Sequence, residues 1–168
     1  MKDERVYQMV LFRKKDVVCR VGWYSVGLFN TEIDEKIVTV AKFGFTITDI
    51  QKLNSTREIL AVGSISGVHL CSFTSPKLLT PFRKLFPNHY ISSLSCSISN
   101  TIFASFAEES RHLFGIFDYF FDITEQVSLA KGETMQVEKV IVIPELEGML
   151  FFLDRISKRV VVCDYKEQ

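Results

Sequence analysis

The sequence of 168 residues predicts an all-β chain built from repeated antiparallel β-meanders, and three observations carry that expectation. Short apolar runs alternate with polar turns along the chain. Phe occurs 15 times against one Trp, and aromatic and β-branched residues suit pleated, half-buried surfaces. The stretch 46–73, TITDIQKLNSTREILAVGSISGVHLCSF, holds three strand-like segments in close succession, and two later stretches repeat its layout. Composition is ordinary for a folded domain, at 47% hydrophobic and 24% charged residues. A chain of this length buries a substantial core without metals or disulfides, so one domain over residues 1–168 is expected.

In chain order, Val6–Phe12 (VYQMVLF) and Val17–Val21 (VVCRV) flank the charged turn Arg13-Lys14-Lys15-Asp16 and predict a hairpin. Gly22 and Gly27 around Trp23 predict a bend, with Trp23 as a core anchor. Ile37–Phe45 (IVTVAKFGF) predicts another strand. ITDIQKL, EILAVGS and GVHLCSF follow, with Gly67 placed for a reversal that needs positive φ. The uninterrupted apolar run of EILAVGS predicts a strand buried on both faces. Pro76, Pro81 and Pro87 confine TSPKLLTPFRKLFPNH to an edge strand or ordered connection, with room for a helical turn at Phe82–Leu85. YISSLSCSIS, TIFASFAE and LFGIFDYF form the second copy, and residues 121–134 a connection or outer strand. MQVEKVIVIPE, MLFFLDR and RVVVCDY form the third.

Aligning the middle strands places Ala61-Val62-Gly63 over Phe103-Ala104-Ser105 and Phe151-Phe152-Leu153. Three or four short strands at a period of about 40–45 residues are the sequence signature of propeller blades. The blades then fall at about 6–45, 46–88, 90–134 and 135–168, at the low end of the usual number. An incomplete propeller is favoured over a closed four-bladed one; a single β-sandwich or barrel is the alternative. The endings Asp118-Tyr119 and Asp164-Tyr165 resemble the Trp-Asp ending of WD40 blades, over roughly residues 46–166. REILAVGSISGVHLCSF resembles the opening of citron-homology propellers, and VIVIPELEGMLFFLDRISKRVVVCDY a later blade of that family. The chain departs from WD40 repeats in lacking Gly-His and Trp-Asp dipeptides. The resemblance implies a rigid disc whose faces bind other proteins.

Charge and motifs narrow the chemistry. Twenty basic and twenty acidic residues cancel, which argues against nucleic acid and leaves little repulsion against self-association. Cys19, Cys71, Cys96 and Cys163 form no CxxC pair, three lie in apolar runs, and free buried thiols in a reducing cytoplasmic or nuclear compartment are expected. The charged start is no signal peptide, and no apolar run is long enough to span a membrane. His69 reads as a structural residue inside a strand, while His89 and His112 read as solvated turn residues. With no HxH, HExxH or Cys/His cluster, no metal or cofactor is expected. Gly63-Ser64-Ile65-Ser66-Gly67 lacks a phosphate loop's lysine and reads as a hairpin turn. Ser92, Ser93, Ser95, Ser97 and Ser99 suit the polar face of a strand; Glu108-Glu109 and Asp118…Asp122 could pair as acid and base in a fold, but such carboxylate pairs occur by chance in most proteins.

No catalytic residue is therefore assigned. Partner-contact candidates are Leu78, Leu79, Phe82, Leu85 and Phe86 in the proline-rich segment, with the basic turn Arg13, Lys14 and Lys15. Arg155…Lys158-Arg159 is a second basic turn, and either turn would suit an acidic partner. The expected function is a non-enzymatic protein-interaction module in a larger complex, bound to other subunits or to itself. The alternative is a small all-β enzyme or ligand-binding domain whose site is built from dispersed residues.

Overall fold

The computed structural model describes residues 5–33, 36–54, 58–107, 113–128, 137–143, 145–146 and 148–165. Within them the chain forms fifteen strands and no helix. The first sheet takes β1 (Val6–Leu11), β2 (Asp16–Val21), β3 (Ser25–Asn30) and β4 (Val38–Lys42) in that order. The second takes β5 (Ile47–Lys52), β6 (Ile59–Ser64), β7 (Gly67–Ser75) and β8 (Leu78–Leu85). β9 (Ile91–Cys96), β10 (Thr101–Phe106), β11 (Leu113–Asp118) and β12 (Ile123–Ser128) form the third. β13 (Val137–Val142), β14 (Met149–Asp154) and β15 (Val160–Asp164) form the last. Every pairing is antiparallel between chain neighbours, and the four sheets follow one another as the blades of a propeller, packed together at three junctions. The N-terminal strands make a blade of their own and do not complete the last one.

Turn chemistry sets the reversals. Gly67 adopts φ +128°, and an added Cβ would lie 2.7 Å from the Leu85 carbonyl oxygen, so only glycine fits. Ser64 Oγ accepts from Ser66 N–H (3.1 Å) and donates to the Gly67 carbonyl (2.9 Å), confirming Gly63–Gly67 as a hairpin turn. Asn100 takes φ +63°, a conformation asparagine tolerates. β8 is an edge strand to its end, as the prolines predict, and the helical turn allowed at Phe82–Leu85 does not form. Pro81 sits opposite Cys71 where the register slips, in an outer strand that can spare an N–H.

Each blade buries one face against the next. Phe12, Val18 and Val26 of the first blade meet Ile50, Leu60 and Val62 of the second. Ile59, Ala61 and Leu70 meet Ile91, Ile102 and Ala104 across the second junction. Phe103 and Phe114 meet Val140, Leu150 and Phe152 across the third. β6 and β10, central in their blades with a neighbour on either face, are buried at every residue, as the apolar run of EILAVGS predicts. Trp23 is a correction: it lies in the β2–β3 turn, 56% exposed, because that turn projects beyond the sheet.

The innermost strands, β1, β5, β9 and β13, are linked by side chains reaching backbone. Gln8 Nε2 donates to the Ile50 carbonyl (2.9 Å), and Gln8 Oε1 accepts from Ile50 N–H (3.1 Å). Asp49 accepts from Gln8 Nε2 (2.6 Å), Ile50 N–H (2.8 Å) and Leu94 N–H (2.7 Å). Ser93 and Ser95 accept from Val140 N–H (3.3 Å) and Val142 N–H (3.1 Å). Of the serines placed on a polar strand face, Ser92, Ser93 and Ser95 thus bond the next blade, while Ser97 and Ser99 bond within the β9–β10 turn.

Candidate functional site

Because all four blades run in the same order, the starts of the inner strands and the β2–β3 and β14–β15 turns lie at one end of the propeller. There a recess of about 700 Å³ opens. Arg20, Trp23, Thr48, Tyr90, Arg155 and Lys158 are among its lining residues. Trp23 and Tyr90 are exposed, at 56% and 47%.

Each side chain has a local reason for its position. Arg20 projects from the end of β2, and its Nη1 donates to the carbonyls of Ile47 (3.0 Å) and Thr48 (2.7 Å). Its guanidinium lies 5.3 Å from the Tyr7 ring, which in turn lies 5.3 Å from the Trp23 ring. Arg20 Nε and Thr48 Oγ1 are buried without a hydrogen-bond partner among the described residues. Asp154 holds the β14–β15 turn, accepting from the N–H groups of Ile156 and Ser157 (both 3.1 Å), and so presents Arg155 and Lys158. Lys158 Nζ is 3.9 Å from Glu138 Oε2, a loose surface pair. Three cations thus face one carboxylate, Glu138, among the described lining.

The residues singled out by sequence are dispersed. Leu79, Leu85 and Phe86 are no contact surface: they are 2–3% exposed, folded into the junctions on either side of the second blade. Leu78 and Phe82 on the same strand are exposed, at 50% and 52%. Arg13 is tied to Glu58 (Nε–Oε1, 2.6 Å) and Asp16, and Lys15 to Glu32, while Lys14 is exposed. Only the second basic turn, Arg155 and Lys158, reaches the recess. Trp23 and Tyr90 carry no motif; their signal was position, since turns after every second strand share one end of a propeller.

The remaining polar candidates are structural. His69 stacks on Phe45 (4.1 Å between ring centroids) beside Ser64 Oγ (3.3 Å), and burial, then Lys84, lowers its pKa. His89 is not simply solvated: it stacks on Phe106 (4.2 Å) and meets Gln126 Nε2 (3.2 Å). Asp118 accepts from the N–H groups of Phe120 and Phe121, and Asp122 pairs with Arg83. Glu108, Glu109 and His112 lie outside the described residues. None of the four cysteines is in a disulfide, and burial pushes the Cys71 thiol up to about 12. No group of three or more metal-ligating side chains occurs among the described residues, and no described helix is long and apolar enough to cross a membrane.

Comparison with known proteins agrees on the fold. No protein-family model and no curated protein matches the chain, so WD40 repeats as such gain no support. Solved structures do match. The chain is similar to Raptor from Chaetomium thermophilum (11% identity, 95% of this chain and 15% of that one, TM-score 0.74). It is similar to the β-propeller domain of Cps50 (Swd1) from Myceliophteria thermophila (12%, 96% and 54%, 0.70) and to the computationally designed Ika4 (11%, 98% and 93%, 0.69). The chain thus spans a small part of Raptor and about half of the Cps50 chain. The chain is also similar to a catalytically inactive virginiamycin B lyase from Staphylococcus aureus (10%, 96% and 56%, 0.66), so one structure of similar shape is that of an enzyme. At these identities the likeness is one of fold, a β-propeller.

Proposed function

We propose that the chain is a non-enzymatic protein-interaction module of a larger assembly, and that its recess receives an acidic segment of a partner protein. The observation carrying this reading is the recess itself, where Arg20, Arg155 and Lys158 surround an opening flanked by exposed Trp23 and Tyr90. Tryptophan, tyrosine and arginine are the residue types in which interface energy concentrates. Leu78, Phe82 and Lys14, exposed elsewhere, are candidates for further contact.

The test is a fluorescein-labelled glutamate-rich peptide titrated with the chain and read by anisotropy. Binding should weaken with added salt and fall at least tenfold in Arg155→Glu/Lys158→Glu, both surface changes. Binding that ignores this charge reversal, or no binding at all, overturns the assignment of this recess. A second reading, a small-ligand site, is supported by the unpartnered Arg20 Nε and Thr48 Oγ1. Quenching of the sole tryptophan, Trp23, by a small dicarboxylate but not by the peptide would favour it.

A further inference from the structure

Three of the four places where one blade can follow another are packed; the faces that would form the fourth are open. On the first blade, Tyr7, Met9 and Leu11 alternate with the inward-facing Gln8, Val10 and Phe12, and Met9 and Leu11 are each 66% exposed. On the last blade, Ile141, Val160 and Val162 alternate with the buried or half-buried Val140, Val161 and Cys163 and are 42%, 62% and 52% exposed. Two sheet faces of this composition left to water are an interaction surface.

A repeated register says what covers them. Each inner strand breaks register with its neighbour near its start, and the residues just past the break are Gln8, Asp49, Ser93 and Lys139. The first three each bond the backbone of the next inner strand one residue past their counterpart: Gln8 to Ile50, Asp49 to Leu94, Ser93 to Val140. Lys139 is the fourth of the series, exposed on the open side. By the same spacing its target is the carbonyl of a residue in the position of Met9. The last blade therefore carries the outgoing half of a junction, and the first blade the incoming half.

We infer that the occupant is a second copy of this chain, related by a two-fold axis along the ring axis. Each copy's last blade then packs on the other's first, closing an eight-bladed ring through two identical junctions. Two features favour this occupant. Both complementary halves already lie on one chain whose net charge is zero, so copies do not repel. The four blades also match 54% of the chain of the Cps50 β-propeller domain, and eight blades lie within the usual range. The designed Ika4 is matched over 93% of its length, so chain size does not set the number of blades; the exposure of Met9 and Val162 does.

The experiment is light scattering on the intact chain, together with a thiol cross-link. The expected mass is twice 19.3 kDa, reduced to 19.3 kDa by Leu11→Asp or by Val160→Asp. Both positions are exposed in the single chain, so circular dichroism should be unchanged. Met9→Cys and Lys139→Cys, prepared separately, should give a covalent dimer with a short bismaleimide only when mixed. A mass of 19.3 kDa at 100 micromolar overturns the inference. So does a cross-link within one chain of the Met9→Cys/Lys139→Cys double variant without dimer, or dimer formation from Met9→Cys alone. None of these results touches the peptide assay above.

Discussion

Removing the Asp49 carboxylate tests the account of how the blades are held in order. Asp49 is 9% exposed and accepts three N–H donors: the Gln8 amide, its neighbour Ile50 and, across the second junction, Leu94. In Asp49→Ala, Ile50 N–H keeps the Gln8 oxygen, but Leu94 N–H is stranded beside a side chain only 1% exposed. A stranded buried donor costs about 1–3 kcal/mol, and a hydrogen bond to a charged group contributes about 1.5–3 kcal/mol. Burial offsets part of this, since it pushes the Asp49 carboxyl up against the pull of its donors. A net loss of about 3 kcal/mol is expected for Asp49→Ala. Asp49→Asn, which keeps one acceptor, should lose less. The assay is urea unfolding followed by circular dichroism, because exposed Trp23 reports weakly on the core. Gln8→Ala should cost less than Asp49→Ala, and the double variant less than the sum, because the two side chains share a bond. A loss below about 1 kcal/mol for Asp49→Ala, or strict additivity with Gln8→Ala, refutes the reasoning.

Two further outcomes follow from the core. A Cβ on Gly115 would lie 2.5 Å from the Phe86 ring, so Gly115→Ala should destabilise by about 2–3 kcal/mol, with partial rescue by Phe86→Leu, measured by thermal melts. Because burial and Lys84 lower the His69 pKa in the folded state, the unfolded chain binds its proton first as pH falls from 6.5. Stability contributed by neutral His69 is therefore present above pH 6.5 and lost on acidification; His69→Phe should flatten the urea-midpoint slope below that pH, and an unchanged slope would contradict the assignment.

The strands were legible because their information is local. Alternation in VYQMVL, the unbroken apolar run of ILAVGS and the left-handed turn at Gly67 act within a few residues, so each meander was written in its own segment. Arg155 and Lys158 were legible as a charged turn for the same reason. Trp23 was misread because an aromatic beside strands packs or projects according to which sheet lies above its turn, and here none does. Leu78 and Leu79 show the same division: neighbours on one strand, they point to opposite faces, and only the adjoining blade decides that one is buried and the other exposed. The recess is wholly tertiary, assembled from residues as distant as Arg20 and Lys158. So is the contrast between three sealed junctions and one open pair of faces. Sequence alone determined a chain of β-meanders, since hydrogen bonding between adjacent strands is a short-range choice. Where the blades meet, and what they leave for a partner, depended on packing between segments some 40 residues apart, which no local pattern records.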